Sequence, residues 1–579
     1  MNRSLSRLCI LFLICLLWAG CSKRRGVVTV EVIATTDIHG MIFADDCLEG
    51  NERNGSLAKF ASFISQERDN CRNLVYLDAG DNLQGSVDVY QDVTAQFYRP
   101  SLTGQALSLL GCDATVMGNH DFMVGTQSYE RFFRNATFPV LCANAYFDDY
   151  GDYFPPYTII ERHGVRIAVL GIVSPAIKYT IPRDLLGAFR IADAVETAGY
   201  WVPVLKEKAD VVIGLVHSGF INDTSKGDAE SEDVALELAQ KVPGFDVIVF
   251  GHDHQSRCLK VPGAQGDSVL LVNPGAHVRR AGVVTLSVDF SQGGKPAVNT
   301  KGELKDITGF EPDKSFVDAL SPWHEDVSSY VDSVVGYLEE PVDAGSALWR
   351  PVDAVDYIHS IQMEYYGAEV SLTAPTMSST VFADKEFRIR DAFRLCRYDN
   401  NMISVMMSGR EIVKVLEYSA GLFYEKVPSE SGHLLKMRKS RAGYSVPQYP
   451  VNGFITAAGM DYTIDVTKPA GSRIKVLRMW NGDKFDPDRM YRTTINTYLY
   501  SGDESAVLLA SGIDLKEMET RLNASSRADI RYYVITNFWV RKDAGKTVSM
   551  KRYDNWKLVP ESVVSSYLAA DTVSFRLIQ

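Results

Sequence analysis

The chain has 579 residues, too many for one hydrophobic core, which predicts two or three domains. Apolar residues make up 46% and aromatics 11%, a composition that excludes a disordered chain. A formal charge of −12 with no Lys/Arg run in the body of the chain excludes a long nucleic-acid partner but leaves room for a small anion in a local pocket.

The N-terminus, "MNRSLSRLCILFLICLLWAGCSKRR", has a basic start and an apolar run. At about a dozen residues that run is too short to span a membrane and fits a signal-peptide core. It ends in Leu17-Trp18-Ala19-Gly20-Cys21, which resembles a bacterial lipoprotein processing site. The resemblance implies a signal at 1–20, acylation of Cys21 and a lipid-anchored segment at 21–26. It implies an exported cell-envelope protein, facing the periplasm or on the outer membrane, whose membrane partner is met through lipid alone. The remaining cysteines show no CxxC spacing, so a zinc knuckle is not indicated. A Cys47–Cys71 disulfide and buried free thiols both fit an exported chain.

From residue 27 to about 290, β-branched runs alternate with helical stretches. "VVTVEVIAT", "NLVYLDAG", "DATVMG", "RIAVLGIV", "ADVVIGLVH", "DVIVFG" and "SVLLVNPG" read as buried strands ending in polar or glycine-rich turns. The alternation predicts a layered α/β domain with ligands at the carboxyl ends of its strands. Residues 312–340 read as helical around Pro322 and suit a bridge between domains. A second mixed region follows from about 345 to 579, with strands expected at "MISVMMS", "GFITAAG" and "YRTTINTYLY".

The turns after the first set of strands carry the chemistry. They hold Asp37 and His39 in "TTDIHG", Asp81 in "DAGDNLQG", Asn119-His120-Asp121 in "MGNHDF", His217 in "GLVHSG", and His252 and His254 in "FGHDHQ". Five of the ten histidines lie in these turns, and one strand–loop series brings such turns together at one sheet edge. Mixed imidazole, carboxylate and amide donors suit Zn²⁺, Mn²⁺, Fe or Co better than Ca²⁺. Seven donors exceed what one tetrahedral ion needs and suit two ions about 3.5–4 Å apart under a bridging carboxylate.

In this order and spacing the five motifs resemble the calcineurin-like metallophosphoesterases, specifically the 5'-nucleotidase / 2',3'-cyclic-nucleotide phosphodiesterase family. The resemblance implies an N-terminal four-layer α/β/β/α metallophosphoesterase domain over 27–310. A helical linker would span 311–344, and a C-terminal α+β 5'-nucleotidase-type substrate domain 345–579. It implies that Asp37, His39 and His254 hold one ion, that Asn119, His217 and His252 hold the other, and that Asp81 bridges them. His120 would touch the phosphoryl group. The implied reaction is attack of a metal-bound hydroxide on a phosphoester, most simply release of phosphate from a nucleotide.

Departures from the family pattern bear on substrate and rate. The nucleotidases orient the histidine after the asparagine with an aspartate three residues later; here that place is Met123, a poor acceptor, and Asp121 is the nearest acid to take over. The family's glycine- and arginine-rich nucleotide stretch is replaced by "VSLTAPTMSSTVF", with Arg388 and Arg390 downstream. Phe454 and Tyr498 occupy the family's two stacking positions, Asp503 its acid, and Asn400 its asparagine. Two rings suit a nucleobase, and each also suits a core. The same metal centre therefore admits a nucleotide-sugar, a cyclic phosphodiester or a sugar phosphate, and a lipid-anchored binding protein without turnover is the reading from another class.

Overall fold

The computed structural model describes residues 26–576 except 96–98, 148–150, 222–231, 377–380, 383–384, 441–442, 502–504 and the single residues 293, 344, 346, 430 and 444. Cys21 and Asp503 lie outside the described residues.

Two six-stranded sheets fill the N-terminal half. The first runs Ala297–Asp306, Arg280–Asp289, Val27–Thr35, Leu74–Asp78, Ala114–Val116, Val140–Leu141 in spatial order. The second runs Arg257–Pro262, Ser268–Asn273, Val247–Phe250, Val211–His217, Val165–Val173, Tyr157–Arg162. The inner strands of the second sheet are parallel and its two edges antiparallel. Every residue of Val211–His217 is buried, as expected of a strand covered on both faces.

Side-chain alternation explains the layering. Val30, Val32 and Ala34 meet Val211, Ile213 and Leu215 in the core between the sheets. Ile33 points outward onto Phe60, Phe63 and Ile64 of the helix Leu57–Asn70. Val212 and Val216 point outward onto Ala198, Val202 and Leu205 of the helix Ala194–Lys208. The result is helix, sheet, sheet, helix.

All seven strands expected in the N-terminal region are present within one or two residues. The expected helix over 312–340 is shorter: it spans Lys314–Val331, and Val334–Tyr337 pairs as a strand with Glu386–Arg388. The helix continues through Pro322. Proline removes one backbone bond, yet Phe316, Leu320, Val327 and Val331 stay buried along one side and hold the helix together.

The C-terminal half is built on a five-stranded sheet ordered Thr456–Ala458, Val370–Thr373, Met490–Asn496, Asn401–Ser408, Leu522–Asp529. "YRTTINTYLY" is strand only as far as Asn496; its Oδ1 accepts from Leu499 N at 2.9 Å and starts the helix Thr497–Ser501. The halves are tied by Tyr90 Oη donating to Asp529 at 3.0 Å, by Ser525 N donating to Asp184 at 2.9 Å, and by the buried Arg531 guanidinium lying over the Tyr90 and Phe393 rings. All six cysteines of the described residues are free thiols, Cys47 and Cys71 included.

Candidate metal centre

The carboxyl ends of the parallel strands deliver the predicted residues to one place, in two groups: Asp37, His39 and His254, and Asp81, His217 and His252. In the first group His39 Nδ1 lies 2.8 Å from the Gln84 carbonyl. That bond puts the proton on Nδ1, so the Nε2 lone pair faces inward. There it meets His254 Nε2 at 3.0 Å, with Asp37 Oδ1 3.4 Å from His254 and 3.9 Å from His39.

In the second group His217 Nδ1 is held by the Ala79 carbonyl at 2.7 Å and His252 Nε2 by Glu232 at 2.9 Å. Their other nitrogens, His217 Nε2 and His252 Nδ1, each lie 3.0 Å from Asn119 Oδ1. Asp81 Oδ2 faces both groups, 3.2 Å from His217 Nε2 and 3.9 Å from His39 Nε2, while its Oδ1 accepts from His120 N at 2.9 Å. His254 of the first group is partly open to solvent, while in the buried second group lone pairs thus converge on lone pairs. That arrangement is stable only with positive charge between the donors, and its N/O donor set fits borderline divalent ions. Burial opposes charge at Asp81 and His252. Even so, Asp81 is held well below the usual carboxylate range by the neighbouring imidazoles, and Glu232 lifts His252 to about 10.

The backbone is bent to make this possible. Asp37, His39, Asp81, His252, His254 and His277 all have φ between 48° and 79°, six of the nine non-glycine residues with positive φ among the described residues. Such strain collects where a site over-determines it. Two glycines admit the ligands: a Cβ at Gly118 would overlap Asp81 Oδ1, and one at Gly251 would overlap Thr36 Oγ1 beside Asp37.

Three neighbours were not anticipated. Gln84 joins the two halves of the site, its carbonyl on His39 and its Oε1 on His120 Nδ1. Glu232 orients His252. His277 sits 5.8 Å ring to ring from both His39 and His254. Gln84 was in view within "DAGDNLQG", three residues after Asp81; Glu232 and His277 carried no motif.

Asp121 does not serve His120. Its Oδ2 accepts from Gly118 N at 2.9 Å and Asp81 N at 3.0 Å, and its Oδ1 from Asn82 N and Leu83 N at 2.8 Å each. It braces the turn that carries Asp81. Burial and the Asp81 charge push its carboxyl up to about 7. Met123 packs against the apolar core of that layer. The acceptor lost at Met123 is supplied to His120 by the Gln84 amide instead.

A cleft of about 1110 Å³ opens beside the centre. One wall is Met41, Gly85, Ser86 and Val87, next to His39 and Gln84; the facing wall carries Trp349, Arg394, Arg397, Tyr398, Arg438 and Tyr449. Of the predicted substrate residues, Asn400 and Tyr498 are brought together: Asn400 Oδ1 accepts from Tyr498 N and Thr497 Oγ1 at 3.1 Å each. Asn400 and Tyr398 line a smaller adjoining pocket, and Tyr498 is 44% exposed. Phe454 is not one face of a clamp. It is 1% exposed and packs edge-on against Phe423, Tyr424 and Trp556, because the turn before Thr456–Ala458 points it into the C-terminal core. Arg388 and Arg390 do not line the cleft; both reach Asp332 at the end of the linker helix, and Arg390 also reaches the Leu48 carbonyl at 3.3 Å.

Residues 30–256 match the calcineurin-like phosphoesterase family model and residues 334–510 that of the 5'-nucleotidase C-terminal domain. A trifunctional nucleotide phosphoesterase protein of Bacillus subtilis is 25% identical over 92% of this chain, which spans 39% of that protein's length. A 2',3'-cyclic-nucleotide 2'-phosphodiesterase/3'-nucleotidase of Haemophilus influenzae is 25% identical over 89% of each chain. Among solved structures, a Staphylococcus aureus chain crystallised with alpha-ketoglutarate shares the fold with a TM-score of 0.70 at 19% identity, over 92% of this chain and all of that one.

Proposed function

The chain belongs to the calcineurin-like phosphoesterases of the 5'-nucleotidase type, and from that premise we propose that it hydrolyses nucleotide phosphoesters at a centre of two divalent ions. The observation that carries this reading is the orientation of Asp81, whose Oδ2 faces both groups of metal-binding side chains. Asp37, His39 and His254 would hold one ion, Asn119, His217 and His252 the other, and Asp81 both. Ions so held supply charge stabilisation to phosphoryl oxygens and lower the pKa of a bound water.

The chain's own residues do the rest. His120 is part-buried beside Asp81 and burial lowers its imidazole to about 4, so it meets the phosphoryl group as a neutral ring. Gln84 fixes that ring's orientation. Tyr398 presents a flat face at the C-terminal wall, Tyr498 is exposed beside Asn400, and Arg394 and Arg397 offer positive charge to an anionic leaving group. The roles of Asn400 and Asp503 follow the family pattern.

Division at the linker helix gives a metal domain at 27–310, a linker at 311–344 and a substrate domain at 345–579. The Leu17–Cys21 motif supports export with a lipid on Cys21 and a place in the cell envelope. The Haemophilus relative, matched over 89% of both chains, favours a second substrate, the 2',3'-cyclic nucleotides. A phosphate-release panel of nucleoside 5'- and 3'-phosphates, cyclic nucleotides and an aryl phosphate tests both. Preference for any nucleotide over the aryl ester supports the proposal, and an aryl-ester hydrolase indifferent to nucleotides contradicts it.

A further inference from the structure

A second cluster of metal-binding side chains lies apart from the seven residues above. Asp45, Cys47 and His324 come from two segments 277 residues apart, and one donor atom from each lies within 4.8 Å of the others. His324 Nε2 is 2.7 Å from Asp45 Oδ2 and 3.9 Å from Cys47 Sγ. Tetrahedral zinc, with Zn–S of about 2.3 Å and Zn–N of about 2.0 Å, sets these donors roughly 3.5 Å apart, so small side-chain rotations suffice.

The cluster is built rather than incidental. The loop carrying Asp45 and Cys47 is closed by the Asp45–Glu52 bridge and by Arg53 N donating to the Ala44 carbonyl at 2.7 Å. The His324 ring is held edge-on by Phe43, centroids 4.5 Å apart. Ser328, one turn further along the linker helix and on the same face, places its hydroxyl 3.4 Å from Cys47 Sγ. Three donors of thiolate, imidazole and carboxylate type, with a hydroxyl or water in the fourth place, make a set that hard ions such as Mg²⁺ and Ca²⁺ do not favour.

We propose that Asp45, Cys47 and His324 form a third metal site, selective for zinc-class divalent ions. Binding expels the Cys47 proton to solvent and forms one metal–sulfur bond. The site pins the loop 41–53 to the linker helix. The same loop supplies Asp46, Leu48 and Glu49 to the cleft wall, and Arg390 of the C-terminal half grips its Leu48 carbonyl. A bound ion thereby stiffens the junction of the two halves beside the substrate cleft.

The test is Co²⁺ titration of the full metal-free chain, read by the near-ultraviolet thiolate-to-cobalt charge-transfer band. None of the residues assigned to the two-ion centre is a cysteine, so only a cysteine-containing site gives this band. The band appears in the parent chain, is absent in Cys47→Ser, and in His324→Ala requires at least about tenfold more cobalt. It persists in Asp81→Asn, so failure of the two-ion reading leaves it unchanged. A parent chain without the band at saturating cobalt, or a band that survives Cys47→Ser, overturns the proposal.

Discussion

Gln84 Oε1 meets His120 Nδ1, so a side chain from the turn after the second strand orients the histidine that follows the third. The expected acid is Met123, and the amide occupies the role from a different loop. Gln84→Ala should lower kcat for an aryl phosphate by about 10–100-fold with little change in KM, since positioning and not binding is lost. Gln84→Glu should recover much of the rate and displace the pH–rate profile. An unchanged kcat in Gln84→Ala would remove Gln84 from the mechanism.

Asp121 supports the metal centre through backbone alone. Four main-chain N–H groups converge on its carboxylate, two of them from Asp81 and Asn82. Asp121→Asn puts an NH₂ where an acceptor is needed and should cost about 1.5–3 kcal/mol of stability in the N-terminal half. Metal affinity should fall with it as the Asp81 turn loosens. Denaturant melts and metal titration of the same sample check both, and a variant with parent stability and full metal affinity would contradict this account.

Phe454 and Tyr498 should separate cleanly. Phe454→Ala empties a core position and should destabilise the C-terminal half by about 3–5 kcal/mol. At temperatures where the variant is folded, KM for a nucleotide should hardly move. Tyr498→Ala, at an exposed ring, should do the reverse: little stability loss and a raised KM. Equal effects on KM would restore the two-ring clamp.

His359 gives the C-terminal half an acid-sensitive core. It is fully buried, with Ser371 Oγ at 2.8 Å and Thr456 Oγ1 at 3.0 Å, and burial lowers its imidazole to about 3. Folded-state affinity for the proton is thus weaker than in the unfolded chain, where the pKa is about 6.5. The neutral ring's contribution is complete above that value and falls as pH drops from about 6.5 toward 3, by up to about 1.4 kcal/mol per pH unit. His359→Gln should flatten this limb in urea melts of the C-terminal transition recorded at about pH 7.5 and 5.5. An equally steep limb in the variant would assign the acid sensitivity to other groups.

The candidate metal-binding residues could be found in the sequence because each lies at or just past the carboxyl end of a buried β-branched strand, where parallel topology leaves few destinations. Gln84, Glu232 and His277 were harder to find, since their value lies in contacts across loops far apart in sequence. Phe454 was misplaced for a related reason. It stands in the turn before Thr456–Ala458, and the direction of a turn residue is set by tertiary packing, here against Phe423, Tyr424 and Trp556, which no local pattern specifies. The helix over Thr497–Ser501 was read as strand because the β-branched run before it continues into Tyr498 and Tyr500 without a glycine; the Asn496 cap that ends the strand acts through one side-chain bond.

The most direct test of the two-ion centre is electron paramagnetic resonance of the Mn²⁺-loaded chain and of Asp81→Asn. A carboxylate shared by two ions predicts the multiline spectrum of a coupled pair in the parent chain, giving way in the variant to the six-line signal of isolated Mn²⁺, with phosphate release abolished. A parent spectrum of isolated ions only, or a coupled spectrum that survives in Asp81→Asn, would contradict the account.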